Sequence, residues 1–192
     1  MSSGETFTAF LRLGIEHILL GFDHLLFLAG LLLVVRGWRQ LVIVITTFTV
    51  AHSLTLGLAA FNIISVPGRV AEPLIAASIL FVGIENIVQR GEPRARWAVT
   101  LFFGLIHGFG FASVLRGLGL GTNGRGIALP LFSFNLGVEI GQLAVAAVLV
   151  PLLWRLAESP NYRGRWQPML SGVVAVVGGY WLVQRLVQSG VF

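Results

Sequence analysis

All four histidines of this chain lie in apolar stretches long enough to cross a membrane, and three carboxylates lie there with them. An ionisable side chain in hydrocarbon is costly, so it usually faces a partner, a cavity or a transported ion. Imidazole and carboxylate groups also bind divalent transition metals where no thiolate is available, and the chain has no cysteine. The sequence therefore predicts a membrane protein with a metal-binding or proton-binding interior. The candidate ligands are His17, Asp23, His24, His52, Glu85, His107 and Glu139.

The strongest local pattern is EHILLGFDH at 16–24. Seven residues are nearly two helical turns, so a continuous helix would project His17 and His24 from one face, with Asp23 on the adjacent stripe. Alternatively, Gly21 breaks the helix and exposes backbone groups to a cavity. Asp23 either binds a metal itself or orients His24 as its hydrogen-bond partner. The competing interpretation is that Asp23 and His24 only mark the interfacial start of a helix.

His52 and His107 lie near the middle of their apolar stretches, where an interfacial location does not explain them. The structural alternative is a neutral histidine bonded to a facing hydroxyl or carbonyl group. On a later stretch, Asn135, Glu139 and Gln142 follow at helical spacing and form one polar stripe. The polar residues predicted to support the site are Asn86, Asn135, Gln142 and Ser53.

Composition places the chain in a membrane. Of its 192 residues, 56% are hydrophobic and 11% charged, whereas soluble domains carry about 25% charged residues. All thirteen basic residues are arginines, and they cluster between the apolar runs. Nucleic-acid binding would need a continuous basic face, so we expect none. No linker is long enough to separate domains, and residues 1–192 are predicted to form a single integral membrane domain.

The predicted fold is all-α, a polytopic membrane bundle of about six spanning helices, because a span needs roughly 20 mostly apolar residues. Eight arginines fall on one side of this topology and five on the other. By the positive-inside rule, the Arg-rich side is cytoplasmic and both termini lie on the non-cytoplasmic side. Four tryptophans also fall at the Arg-rich face, namely Trp38, Trp97, Trp154 and Trp166. The predicted spans cover residues 18–36, 40–62, 70–89, 97–117, 127–154 and 167–188, after a short amphipathic segment at 5–17.

Five motifs together resemble the HupE/UreJ family of small membrane proteins. They are EHILLGFDHLLFL, TFTVAHSLTL, ASILFVGIEN, FGLIHGFGFASVL and FNLGVEIGQL, which run in order from residue 16 to residue 142. His17, Asp23 and His24 match the family's motif of His, five residues and Asp-His. Only one His-Gly pair, at His107, is present here, which resembles the second subfamily. Family members are associated with hydrogenase and urease systems and regarded as nickel or cobalt permeases.

The leading functional hypothesis is a secondary permease for a divalent ion such as Ni²⁺, Co²⁺, Zn²⁺ or Fe²⁺, with compensating proton release. Three alternatives remain open: an intramembrane zinc hydrolase, a haem-binding electron carrier using His52 and His107, and a non-transporting accessory subunit. The expected partners are the lipid bilayer and the metal ion, in a homo-oligomer or a larger membrane complex. The expected location is the plasma membrane, the inner membrane of a bacterium.

Overall fold

The computed structural model describes residues 2–89, 95–111 and 126–190. Within these ranges the chain folds into helices and contains no strand, which confirms the predicted all-α membrane bundle. The end of the predicted 97–117 span and the connections at 90–94 and 112–125 lie outside the described residues. The helices are α1 (Ser3–Leu20), α2 (Phe22–Leu32), α3 (Trp38–Ala60), α4 (Gly68–Gln89), α5 (Arg96–Gly110), α6 (Ala128–Ala157) and α7 (Gln167–Gln188), with a π-helical turn (Tyr162–Trp166) before α7.

The first predicted span is broken. The predicted amphipathic segment is the main part of a regular 18-residue helix, α1, which continues to Leu20. A capping box starts it: the Ser2 hydroxyl accepts from the Glu5 amide, and the Glu5 carboxylate accepts from the Ser2 amide at 2.7 Å. The helix ends at Gly21, and α2 leaves at an angle of 68°. The interpretation of Gly21 as a helix break is confirmed.

Within the described ranges, four helices are long and apolar enough to cross a membrane, namely α3, α4, α6 and the segment from the π-helical turn through α7. The bent pair of α1 and α2 makes a fifth candidate span. The remaining predicted span, 97–117, corresponds to α5, of which 15 residues are described.

Small residues bring three helix pairs into backbone contact. A methyl group on Gly14 of α1 would meet the Phe134 carbonyl of α6, and one on Gly108 of α5 would meet the His52 carbonyl of α3. On α4, a methyl group at Gly83 would lie 2.6 Å from the Ala175 amide of α7. Because lipid gives helices no hydrophobic reason to associate, close van der Waals packing through small residues stabilises the bundle.

The interior contains two apolar clusters. The larger lies among α2, α3, α4 and the C-terminal half of α6, and it includes Phe27 and Phe48. The smaller joins α1, α3 and α6 and includes Ile18 and Phe134. Each cluster contributes phenylalanines that touch the histidines, so the imidazoles form a polar layer between two apolar ones.

Candidate metal centre

The break at Gly21 positions two of the histidines. His17 lies in the last turn of α1 and His24 in the first turn of α2, and their ring centroids are 4.4 Å apart. The Gly21 amide donates to the His17 carbonyl at 3.1 Å, and this is the last main-chain hydrogen bond of α1. A continuous helix would hold the two rings about 10 Å apart along its axis. The bend between α1 and α2 therefore brings the two imidazole rings into contact.

His52 joins the pair from the middle of α3. Its ring centroid lies 5.8 Å from that of His17 and 6.0 Å from that of His24. One potential ligand nitrogen of each of the three rings lies within 4.8 Å of the others. Three helical segments therefore bring three imidazoles to one point, as a metal site requires.

His107 of α5 lies beside this group, with its ring centroid 5.0 Å from that of His24. Its Nε2 lies 2.9 Å from the Oγ of Ser78, and the Ser78 hydroxyl proton is donated to the Ile75 carbonyl at 2.6 Å. Since that hydroxyl has one proton, Ser78 accepts from the Nε2–H of His107. The lone pair of the neutral His107 ring is then on Nδ1, which is available to a metal.

Several ring nitrogens of this buried cluster have no hydrogen-bond partner within the described part of the chain. They are His17 Nε2, His24 Nε2, both nitrogens of His52 and His107 Nδ1. His52 and His107 are both 0% exposed. An unsatisfied buried polar group costs about 1–3 kcal/mol. Five of them in one cluster are best explained by a ligand that uses their lone pairs.

Aromatic rings enclose the cluster. Phe111 lies 4.2 Å from His17 and Phe27 lies 4.7 Å from His107, both between ring centroids. Phe48 stacks on His52 at 5.8 Å, and Phe134 stacks on its neighbour Phe111 at 4.9 Å. Such a shell limits water access and strengthens every electrostatic interaction inside it. None of these four contacts was predicted from the sequence.

The Asp23 carboxylate forms an ion pair with an arginine. Nη2 of Arg185 on α7 donates to both of its carboxylate oxygens, each at 2.8 Å. Nη1 of the same arginine donates to the Glu72 carbonyl at 3.0 Å. The ion pair fixes the first turn of α2 to α7 and α4, next to His24. The structure therefore brings the predicted histidines together and places the Asp23 carboxylate on a counter-ion.

Glu85 and Asn86 form a second polar site, apart from the histidines. Nη1 of Arg96, at the start of α5, lies 2.5 Å from the Glu85 carboxylate, and Nη2 donates to the Asn86 side-chain oxygen. The Asn86 amide donates to the Gly30 carbonyl of α2 at 2.8 Å, and Gln167 of α7 donates to the Asn86 carbonyl. This buried network ties four helices together.

The remaining predicted residues lie on α3 and α6. The Thr46 hydroxyl donates to Glu139 at 3.4 Å, and the Thr49 hydroxyl donates to Gln142 at 3.0 Å. Asn135 lies against His52, and its buried side-chain oxygen has no partner among the described residues. The Ser53 hydroxyl donates to the Thr49 carbonyl of its own helix. Of these four, Asn135 is the one that joins the histidine cluster.

One protein family matches nearly the whole chain. The profile described as HupE / UreJ protein matches residues 1–185. The chain belongs to the HupE/UreJ family. Comparison with curated proteins and with solved structures returns no match. The HupE/UreJ family is linked to nickel and cobalt transport, and the match includes every histidine and carboxylate described above.

Two residues of the site in this HupE/UreJ protein were not predicted from its sequence. Ser78 orients His107, and Arg185 binds Asp23. Ser78 occurs in an apolar run without any pattern that marks it. In the predicted topology Arg185 is one of the five arginines on the less Arg-rich side, near the end of the 167–188 span, and no local pattern pairs it with Asp23.

Proposed function

We propose that this protein is a permease for a divalent transition-metal ion, with nickel or cobalt as the expected cargo and zinc or iron as alternatives. The observation that carries the proposal is the convergence of His17, His24 and His52 on one buried point at the break between α1 and α2. Discontinuous helices with a site near the middle of the bundle are a recurring way to build secondary transporters.

The geometry is close to what an ion needs. Metal–nitrogen bonds of about 2.0–2.1 Å place the nitrogens of a tetrahedral site roughly 3.4 Å apart. The three histidine nitrogens lie within 4.8 Å of one another, so a contraction of at most about 1.4 Å would bring them to this spacing. The Nδ1 of His107 is the fourth candidate ligand. Neutral imidazoles fit all four candidate metals, and geometry and availability choose among them.

A site of neutral ligands suits transport. It adds no negative charge to offset the ion, so the ion is held less tightly than in a site that contains carboxylates. Imidazoles bind metal only when neutral, so any proton that a histidine carries leaves as the ion enters. Coupling of metal entry to proton release is part of the proposal.

The proposed location is the bacterial inner membrane, with the Arg-rich face in the cytoplasm and both termini on the opposite side. Contact between the rings of Trp38 and Trp154, at 5.0 Å, supports one aromatic belt at the Arg-rich face. The α1–α2 span starts at the other face, so the histidines would receive an ion from outside the cytoplasm.

Three imidazoles are also the ligand set of some catalytic zinc sites, which keeps an intramembrane hydrolase as the second candidate. Such an enzyme would need a proton acceptor beside the metal-bound water, whereas Asp23 and Glu85 are both ion-paired to arginines. Haem binding is less compatible with the site. Phe48 packs on both histidines that would hold the haem iron, with its ring centroid 5.8 Å from that of His52 and 5.4 Å from that of His107.

The test combines metal content with transport. Purified wild-type protein, loaded with Ni²⁺ or Co²⁺ and desalted, should retain about one ion per chain by elemental analysis, and His24→Ala and His107→Ala should lose it. Proteoliposomes with wild-type protein should take up the ion, with a pH change in the lumen if protons are exchanged.

The matched control is Ser171→Ala, which removes a buried hydroxyl of α7 that has no hydrogen-bond partner among the described residues, at the packing of α7 on Gly83 of α4. The Ser171→Ala variant should retain the metal ion and take it up into proteoliposomes as the wild type does. Metal binding without any uptake would favour the hydrolase. A folded wild-type protein that binds no metal would end the proposal in favour of the accessory subunit.

A further inference from the structure

A cavity of about 400 Å³ opens at the Arg-rich end of the bundle, away from the histidines. It lies between the segment after α2 and the connection from α6 to the π-helical turn. Its lining is Arg36, Ala157, Ser159, Pro160, Tyr162 and Arg163. We propose that this cavity binds the phosphate of an anionic phospholipid headgroup. The proposal is independent of the metal site.

The two arginines bring positive charge to the cavity without a carboxylate to neutralise it. Among the described residues, the ion pairs of this protein involve Arg12, Arg96 and Arg185, and none involves Arg36 or Arg163. Two like charges beside one small cavity repel each other, and an anion between them removes the repulsion.

Arg36 is held by an aromatic ring. Its guanidinium carbon lies 4.5 Å above the centroid of Tyr162. The tyrosine is itself fixed, because it is buried and its hydroxyl donates to the Leu33 carbonyl at 2.7 Å. Stacking uses the face of a guanidinium and leaves the N–H donors at its edge available for a phosphate. The arginine is therefore positioned before any ligand arrives.

The chemistry of the lining selects a phosphate. Guanidinium groups bind phosphate oxygens in pairs, with geometry that a lysine cannot provide. The Ser159 hydroxyl offers a further donor. Glu158 is exposed and does not line the cavity. A volume of about 400 Å³ is in the range of small-molecule sites, roughly 300–1,000 Å³.

The surroundings indicate that the phosphate belongs to a lipid. Arg36 lies two residues before Trp38, whose ring contacts Trp154 of α6. Tryptophan belts mark the depth of lipid headgroups. On α6, within three turns of the lining residue Ala157, Val148 and Leu152 are 64% and 62% accessible, and these offer an apolar surface to acyl chains. Basic pockets between spanning helices on the cytoplasmic side are typical sites for anionic headgroups.

The test measures binding of short-chain phosphatidylglycerol to the full-length protein in a non-ionic detergent, from the rise of its melting temperature with lipid concentration. An arginine whose charge lies beside the bound headgroup contributes roughly fivefold to affinity for an anionic lipid. Arg36→Gln with Arg163→Gln should therefore weaken binding about thirtyfold. The control pair is Arg39→Gln with Arg155→Gln, two exposed arginines at the same face that do not line the cavity, and it should bind as the wild type does.

Arg163→Gln alone should weaken binding about fivefold, and it decides the test if loss of the Arg36 stacking prevents folding. Inorganic phosphate and short-chain phosphatidylcholine form two further arms, and both should bind more weakly than phosphatidylglycerol. Equal binding of inorganic phosphate would assign the site to a free anion, and equal binding of phosphatidylcholine would remove the requirement for an anionic lipid. Both results overturn the proposal, as does equal weakening in the cavity and control pairs.

Discussion

Arg185 on α7 binds both carboxylate oxygens of Asp23 at 2.8 Å, one residue before His24 in the first turn of α2. The relationship joins residues 162 positions apart in the chain. It means that the carboxylate in the HupE/UreJ motif has two possible roles. Asp23 either binds the metal ion directly or neutralises Arg185, whose positive charge would otherwise repel the metal ion.

Substitutions that neutralise each charge in turn separate these two roles. If Asp23 acts as the counter-ion, Asp23→Asn leaves Arg185 unpaired near the site and should weaken Ni²⁺ binding roughly tenfold. Arg185→Gln should strengthen binding, because it removes positive charge. The double variant should return close to wild-type affinity, measured by isothermal titration as a double-mutant cycle. A double variant as weak as Asp23→Asn would show instead that Asp23 is a ligand.

The orientation of His107 gives the second prediction. Ser78→Ala removes the acceptor that holds the Nε2–H of His107 and should weaken metal binding about 10- to 100-fold, the usual cost of losing a group that orients a ligand. The number of ions bound at saturation should not change. ¹⁵N shifts of the His107 ring should show mixed tautomers in the variant and one in the wild type.

The control for Ser78 is Ser133→Ala. Ser133 is equally buried, and its hydroxyl donates to the Leu129 carbonyl of its own helix at 2.7 Å. It should leave affinity and tautomer unchanged. If both serine variants lose affinity alike, the effect comes from helix packing and not from the imidazole.

The buried ion pair gives the third prediction. Glu85→Gln leaves Arg96 charged and unpaired in the interior, which should lower the free energy of unfolding by about 3–5 kcal/mol. Glu85→Leu with Arg96→Met should recover most of that loss, because no buried charge remains. Unfolding in a denaturing detergent would measure the free energy of unfolding of the single and the double variant. Glu158→Gln, at an exposed position, should change stability by less than about 0.5 kcal/mol.

The same variants test whether Glu85 takes part in metal binding. Metal content per folded chain should be unchanged in Glu85→Gln, since the network of Glu85, Arg96 and Asn86 is separate from the imidazoles. If Glu85→Gln loses bound metal while its stability is unchanged, Glu85 is a metal ligand, as predicted from the sequence.

The sequence predicted the fold class and several features of the candidate site, for identifiable physical reasons. Long apolar runs can only be spanning helices, and a histidine in the middle of one needs a partner. Local patterns also suggested the break at Gly21. The pairing of Asp23 with Arg185 depends on which helices become neighbours, and that is decided by small residues such as Gly83, at which α4 meets α7 closely. The hydropathy of a single helix carries no such information.

Glu85 shows the same limit at shorter range. The sequence placed Arg96 among the loop arginines that set topology, and Glu85 among the ligands. Arg96 instead begins α5 with its side chain directed inward, 7% exposed, against the end of α4. A carboxylate near the end of one predicted helix and an arginine eleven residues later are compatible with a metal ligand and with an ion pair. The packing of α4 on α5 distinguishes the two.

The bend itself gives the last prediction. Gly21 has φ −80° and ψ 89°, and a methyl group there would meet the His17 carbonyl and lie 3.0 Å from Nδ1 of His24. Gly21→Ala should therefore push the two rings apart and weaken metal binding by about tenfold or more, because misplacing a ligand by 1 Å breaks a metal shell whose bonds are fixed to about 0.2 Å. The control is Gly172→Ala on α7, where a methyl group meets nothing within 4 Å and should stabilise the helix slightly. Binding affinity and melting temperature measured together decide the matter: the bend explains the site if affinity falls in Gly21→Ala at nearly constant melting temperature, and unchanged affinity would mean that the histidines meet without it.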